Sequence, residues 1–128
     1  MKDNWLTRTL FVGPYLALVT SQAEYKKALK DLNLKDEDDF VPSGWHACTH
    51  TFKTNDGSIA CIVGMDMENA AKMEPIDVAA LLVHEAVHVW QYTERAAGTN
   101  NPFGDEGEAY FIQNISATLM HAYVEKLK

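Results

Sequence analysis

Residues 15–20 are apolar at successive rather than alternate positions, the pattern of a strand covered on both faces inside a sheet. Ser21 and Glu24 form a capping-box pair, and Tyr25, Leu29 and Leu32 recur after them at helical spacing. A short amphipathic helix is expected there. The acidic run at residues 35–39, ending near Pro42 and Gly44, has the composition of a solvated loop. Residues 45–54 and 58–66 flank Asn55-Asp56-Gly57, a hairpin signal because Asp-Gly tolerates the positive φ of tight primed turns. With Asp56-Gly57 as the turn, Cys48, Phe52, Ile59, Cys61, Val63 and Met65 share one apolar face. Cys61 then stands opposite Phe52, and Cys48 opposite Met65.

From Pro75, suited to a first helical position, the pattern runs helical to Ala97 and stops at Gly98, a typical residue just past a helix end. Ile76, Val78, Leu81, Leu82, Val83, Ala86, Val87, Val89 and Trp90 make this helix apolar almost all round, which predicts burial. Residues 99–104 are turn-rich and include Pro102. Asp105 then caps a last helix whose apolar stripe is Ile112, Ile115, Leu119 and Tyr123. The fold class expected is α+β: a small, mostly antiparallel sheet packed on two helices, with one further short helix after the first strand.

The chain of 128 residues suits one domain spanning 1–128. At 47% hydrophobic and 23% charged it reads as globular rather than disordered or coiled-coil. A net charge of -7 offers a phosphate backbone or an anionic membrane little attraction, so no nucleic-acid or membrane partner is expected. No apolar stretch approaches the twenty residues of a membrane span. Lys2 and Arg8 before the apolar run at 10–19 imitate a secretory leader, but Asp3 and Pro14 favour a strand. Cys48 and Cys61 form no CxxC pair and lie beyond disulfide reach in the predicted hairpin, so free thiols and a reducing, cytoplasmic setting are expected. Nothing in the residues specifies an oligomeric state.

Chemistry concentrates in His84-Glu85-Ala86-Val87-His88, an HExxH sequence. On a helix, residues four apart stand one turn apart on the same face, so both imidazoles can meet one metal ion. Glu85, at the border of that face, can reach a water on the metal without ligating it. Two histidines and a carboxylate on a buried helix would cost several kcal/mol, at roughly 1–3 kcal/mol for each unpaired polar group. A shared ion removes that cost.

A hydrolytic zinc site needs a third protein ligand and an open position for water. Glu106 and Glu108 lie 18 and 20 residues after His88, in the first turn of the last helix. Asp105 and Glu108 also read as a capping box, which leaves Glu106 for the metal. Complementarity to the helix macrodipole is the alternative account of both glutamates.

HExxH with a downstream helical glutamate resembles the gluzincin metallopeptidases, and Glu106-Gly107-Glu108-Ala109-Tyr110 is similar to the ExxAD signature of some of these families. Tyr110 stands where that signature has an aspartate. The HEAVHVWQ segment from His84 to Gln91 also resembles small phage- or prophage-encoded metallopeptidases. The resemblance covers residues 75 to about 117. It implies a zincin-like fold, a Zn2+ cofactor, a peptide or protein substrate, and an edge strand lying along that substrate. Residues 58–66 are the candidate edge strand, with 59–64 offering backbone groups.

The function expected is therefore zinc-dependent hydrolysis of a peptide bond: His84, His88 and Glu106 hold the metal, and Glu85 is the general base. A non-catalytic zinc-stabilised module and a cell-wall amidase are the alternatives. Tyr92 and Tyr110 are candidates for steadying the oxyanion. His46, Cys48 and His50 alternate on one strand, but the outer pair is about 13 Å apart, too far to share an ion, so packing or cleft roles are expected. His121 is expected at the surface, and Trp45, Trp90 and Tyr92 more in core than in cleft.

Overall fold

The structure, a computed structural model, describes residues 5–6, 14–98 and 104–128. The described elements are β1 (Trp5–Leu6), β2 (Tyr15–Val19), α1 (Gln22–Asp31), β3 (Ala47–Lys53), β4 (Ile59–Met65), α2 (Met67–Ala71), α3 (Pro75–Ala97) and α4 (Gly104–Lys126). The strands form one sheet in the order β1-β2-β4-β3. β1/β2 and β3/β4 are antiparallel, whereas β2 and β4 run parallel. The class is α+β with a mostly antiparallel sheet, as the sequence predicts. No helix among the described residues is long and apolar enough to cross a membrane.

The unbroken apolar run of β2 follows from its place between β1 and β4, with helices on both sides. Leu16 and Leu18 join Cys61, Val63 and Met65 of β4 beneath Leu82, Ala86 and Val89 of α3 and Phe111, Ile115 and Leu119 of α4. Ala17, Val19 and Ile62 face the other way, against Tyr25, Ala28 and Leu29 of α1. Ser21 caps α1 as expected, its hydroxyl accepting from the Glu24 amide at 3.1 Å. The return half of the capping box is displaced by one residue, since the Glu24 carboxylate accepts from the Thr20 amide at 2.7 Å rather than from Ser21.

The β-hairpin forms where expected but in a different register. Gly57 N–H donates to Thr54 O at 3.0 Å and Thr54 N–H to Ser58 O at 2.8 Å, and Gly57 has φ 85°. All three residues Asn55, Asp56 and Gly57 therefore form the loop, with glycine at the left-handed position. One extra loop residue shifts the pairing by one and turns every β3 side chain to the opposite face from that predicted. Cys48 stands opposite Gly64, Thr51 opposite Cys61 and Phe52 opposite Ala60. Phe52 accordingly packs on the α1 side, and Thr49 faces α3. Both cysteines remain free, Cys61 buried and Cys48 only half-buried.

The edge-strand assignment also changes. β4, expected at the edge, is paired on both sides, and β3 is the outer strand. The physical reason is the parallel β2–β4 pairing, which encloses β4 and leaves its hairpin partner outside. Two short elements escaped the pattern: β1, and α2, which Asp66 caps by accepting from the Glu68 and Asn69 amides.

α3 begins at Pro75 and ends at the left-handed Gly98, as read. It is not buried all round. Ile76 is 77% exposed and His84 and His88 are exposed as well, because only one flank of the helix packs on sheet and α4. Asp105 lies inside the first turn of α4 rather than before it, since α4 starts at Gly104, two residues earlier than a cap at Asp105 predicts. Phe111, Ile115 and Leu119 are its buried stripe, and His121 is exposed.

Gly64 has no room for a side chain, because a Cβ would lie 2.1 Å from Phe40 O and 2.9 Å from Phe40 C. Gly64→Ala is expected to lower stability by about 3 kcal/mol through forced separation of the 40–41 backbone from β4, measured by chemical denaturation. At the other end of the chain, Lys126 Nζ reaches Glu24 Oε2 at 3.1 Å. Burial pushes the Glu24 carboxyl up, but hydrogen bonds from Thr20 and Lys126 and the Lys126 charge outweigh it and hold the group below its usual range. A depressed folded value means that the contribution is complete at neutral pH and is lost as pH falls through that value. The stability difference between the native chain and Glu24→Gln should therefore shrink on acidification below about pH 4.

Candidate metal and hydrolytic site

Leu81, His84, Glu85, His88, Tyr92 and Arg95 recur at spacings of three and four, so they form one flank of α3. That flank forms one wall of a cleft of about 740 Å³, and Trp45, His46, Ala47, Cys48, Thr49 and Thr51 form the other. The sheet and the long helix thus meet at the HExxH sequence.

Within the cleft, His84 Nε2 and His88 Nε2 lie 3.2 Å apart. Their rings are nearly perpendicular, at 82° with centroids 4.8 Å apart. His88 Nδ1 lies 3.0 Å from Gln91 Oε1. An amide oxygen can only accept, so the proton of His88 sits on Nδ1 and Nε2 presents its lone pair toward His84. His84 Nε2–H can donate to that lone pair as an ordinary hydrogen bond, or both nitrogens can turn lone pairs toward a shared cation. Two nitrogens each about 2.0–2.1 Å from a tetrahedral zinc would stand about 3.3 Å apart, so the pair fits such an ion. Gln91 is a supporting residue the sequence reading missed; its position three after His88, on the same helix face, was the available signal.

Glu85 is only 3% exposed. Its Oε1 accepts from the Thr49 hydroxyl at 2.7 Å. A carboxylate removed from water needs such a bond, and here it comes from the strand forming the opposite wall. Burial and then the Glu85 charge push the Cys48 thiol up from its ordinary value. Cys61, sealed in the core, is pushed up to about 12 by burial alone.

The outer edge of β3 runs along the same cleft. Thr54 N–H bonds Ser58 O and Asp66 N–H bonds His46 O at 3.0 Å, which sets the phase of the ladder. Residues 46, 48, 50, 52 and 54 direct their backbone groups to β4, and Ala47, Thr49, Thr51 and Lys53 direct theirs outward. Among the described residues no strand pairs with that edge.

Of the residues nominated from sequence, His84, Glu85 and His88 come together. Glu106 does not join them: it lies exposed in the first turn of α4. Among the described residues no three His, Cys, Asp or Glu side chains form a group able to hold a metal ion. The cause is the length of α3. It continues nine residues past His88, about 13 Å, before the chain reverses, and Phe111 packs on Trp90 with ring centroids at 5.0 Å. Glu106 therefore enters beyond the histidines. Glu108, just past that turn, is half-buried. Tyr110 is 52% exposed and Tyr92 lines the cleft, which favours Tyr92 of the two phenols. His46 and Trp45 also line the cleft, whereas His50 packs on the far face, 4.6 Å from the Tyr25 ring and with Nε2 2.9 Å from Phe40 O.

Compared with family models, with curated proteins and with solved structures, the chain matches none.

Removing the Thr49 hydroxyl should leave a buried carboxylate short of a partner. Thr49→Val is expected to cost about 1–3 kcal/mol, while Thr49→Ser should retain most of the native stability. Paired urea titrations of the two variants check this.

Proposed function

We propose that this chain is a zinc-dependent metallopeptidase with His84 and His88 as ligands and Glu85 as general base. The observation that carries the reading is the convergence of two Nε2 atoms at 3.2 Å on a cleft that also holds a buried carboxylate. When bound, zinc supplies Lewis acidity toward a carbonyl and lowers the pKa of a coordinated water to about 7.

The protein's own groups do the rest. Gln91 fixes the His88 tautomer and ring plane. Thr49 holds one oxygen of Glu85, so the carboxylate keeps one orientation and its other oxygen can take a proton from water and return it to the departing amine. The outward backbone groups of Ala47, Thr49 and Thr51 bind an extended peptide as an added strand, the part first assigned to β4. Tyr92 is the side chain placed to steady charge on the carbonyl oxygen. Glu106 is the third ligand that the sequence resemblance implies, and it would have to leave its place in the first turn of α4 to reach the pair.

Elemental analysis of protein refolded with excess zinc should give one zinc per chain, lost in His84→Ala and His88→Ala. Glu85→Gln should keep zinc and lose hydrolysis of a peptide library by roughly 10²–10⁴-fold; equal activity in that variant would end the mechanism. Gln91→Ala should weaken zinc binding about 10–100-fold. Glu106→Gln should weaken it while Glu108→Gln leaves it unchanged, and the opposite order would reassign the third ligand.

A further inference from the structure

Arg95 is the only Lys or Arg among the described residues lining the cleft. It stands in the last turn of α3 and is exposed. Its Nε donates to Gln91 O at 3.3 Å, and it pairs with no carboxylate among the described residues. A guanidinium carries five N–H donors in a planar fork suited to a carboxylate, so its outer donors, which meet no carboxylate among the described residues, are available to a ligand. In a protein of net charge -7, a cleft-lining arginine that pairs with no carboxylate among the described residues stands out.

Its position sets what it can reach. Arg95 is seven residues past His88 on the same helix flank, about 10.5 Å along the axis at 1.5 Å per residue. An extended peptide advances about 3.3 Å per residue; for one lying along α3 the Arg95 backbone stands about three residues from the point facing the histidines, and the guanidinium, drawn back toward Gln91 O, about two to three. Trp45, 57% exposed, and Tyr92 line the same cleft and give the intervening residues an aromatic surface.

We infer that Arg95 selects acidic peptides: it anchors a carboxylate, from an Asp or Glu side chain or a chain terminus, about two to three residues from the bond facing His84 and His88. The inference rests on the peptide-binding reading of the cleft, and its test reads binding separately from cleavage. Fluorescent octapeptide pools with Asp, Asn or Lys at one fixed position are titrated against zinc-loaded Glu85→Gln protein, which holds peptides without cutting them. Asp pools should bind about three- to tenfold tighter than Lys pools, and Arg95→Glu in the same background should reverse the order. A pool with its carboxylate at the free C-terminus separates a terminal from a side-chain acid. An Asp preference that survives Arg95→Glu would place the carboxylate elsewhere, on the metal for example, and overturn the inference. Equal binding of Asp and Lys pools, or no binding of any, overturns it as well. Charge selection by Arg95 in a protein that cleaves nothing would keep this inference and end the hydrolytic reading.

Discussion

The bond between the Thr49 hydroxyl and the Glu85 carboxylate sets the geometry on which the rest of the site depends. Glu85 is buried where α3 crosses the sheet, and a charge in that position is tolerable only with a polar partner. That partner sits on the outermost strand, so the bond joins the two walls of the cleft. It agrees with the rotation that the buried flank of α3 imposes. With Glu85 turned toward β3, Leu82, Ala86 and Val89 enter the core, and His84, His88, Tyr92 and Arg95 come to the cleft. Turning the helix by one residue, about 100°, would bury an imidazole and expose the carboxylate.

Thr49 faces α3 only because the hairpin loop holds three residues instead of two. A two-residue turn at Asp56-Gly57 would have presented Cys48 to the helix, with a thiol in place of the hydroxyl that Glu85 needs. The loop that decides this lies six residues further along the chain, so a local preference for glycine at a positive φ reaches the site through strand register. The same ladder phase turns the backbone of Ala47, Thr49 and Thr51 outward. Partner choice for Glu85 and the open strand edge are therefore two results of one register.

Much of the scaffold was legible along the chain. The strand at residues 15–20, the Ser21 cap, the hairpin, and the helix from Pro75 to Gly98 each carry a short-range signal, because turns, caps and periodicity are decided by neighbouring residues. β1 and α2 were not legible, being two and five residues long, too short to show a period. Burial of α3 was overread: Ile76 and Val83 are apolar but stand on the solvent flank, which no count of hydrophobic positions distinguishes from the core flank.

The sequence by itself determined that His84 and His88 share a helix face and that Glu85 borders it, since helical pitch follows from backbone geometry alone. It could not say that Thr49 would meet Glu85 or that Gln91 would orient His88. Nor could it show that β3 rather than β4 forms the open edge, or that Glu106 would enter beyond the histidines. Those outcomes turn on strand order, register and the distance α3 runs before reversing. They are set by packing between segments far apart in the chain, where a shift of one residue changes which side chains meet.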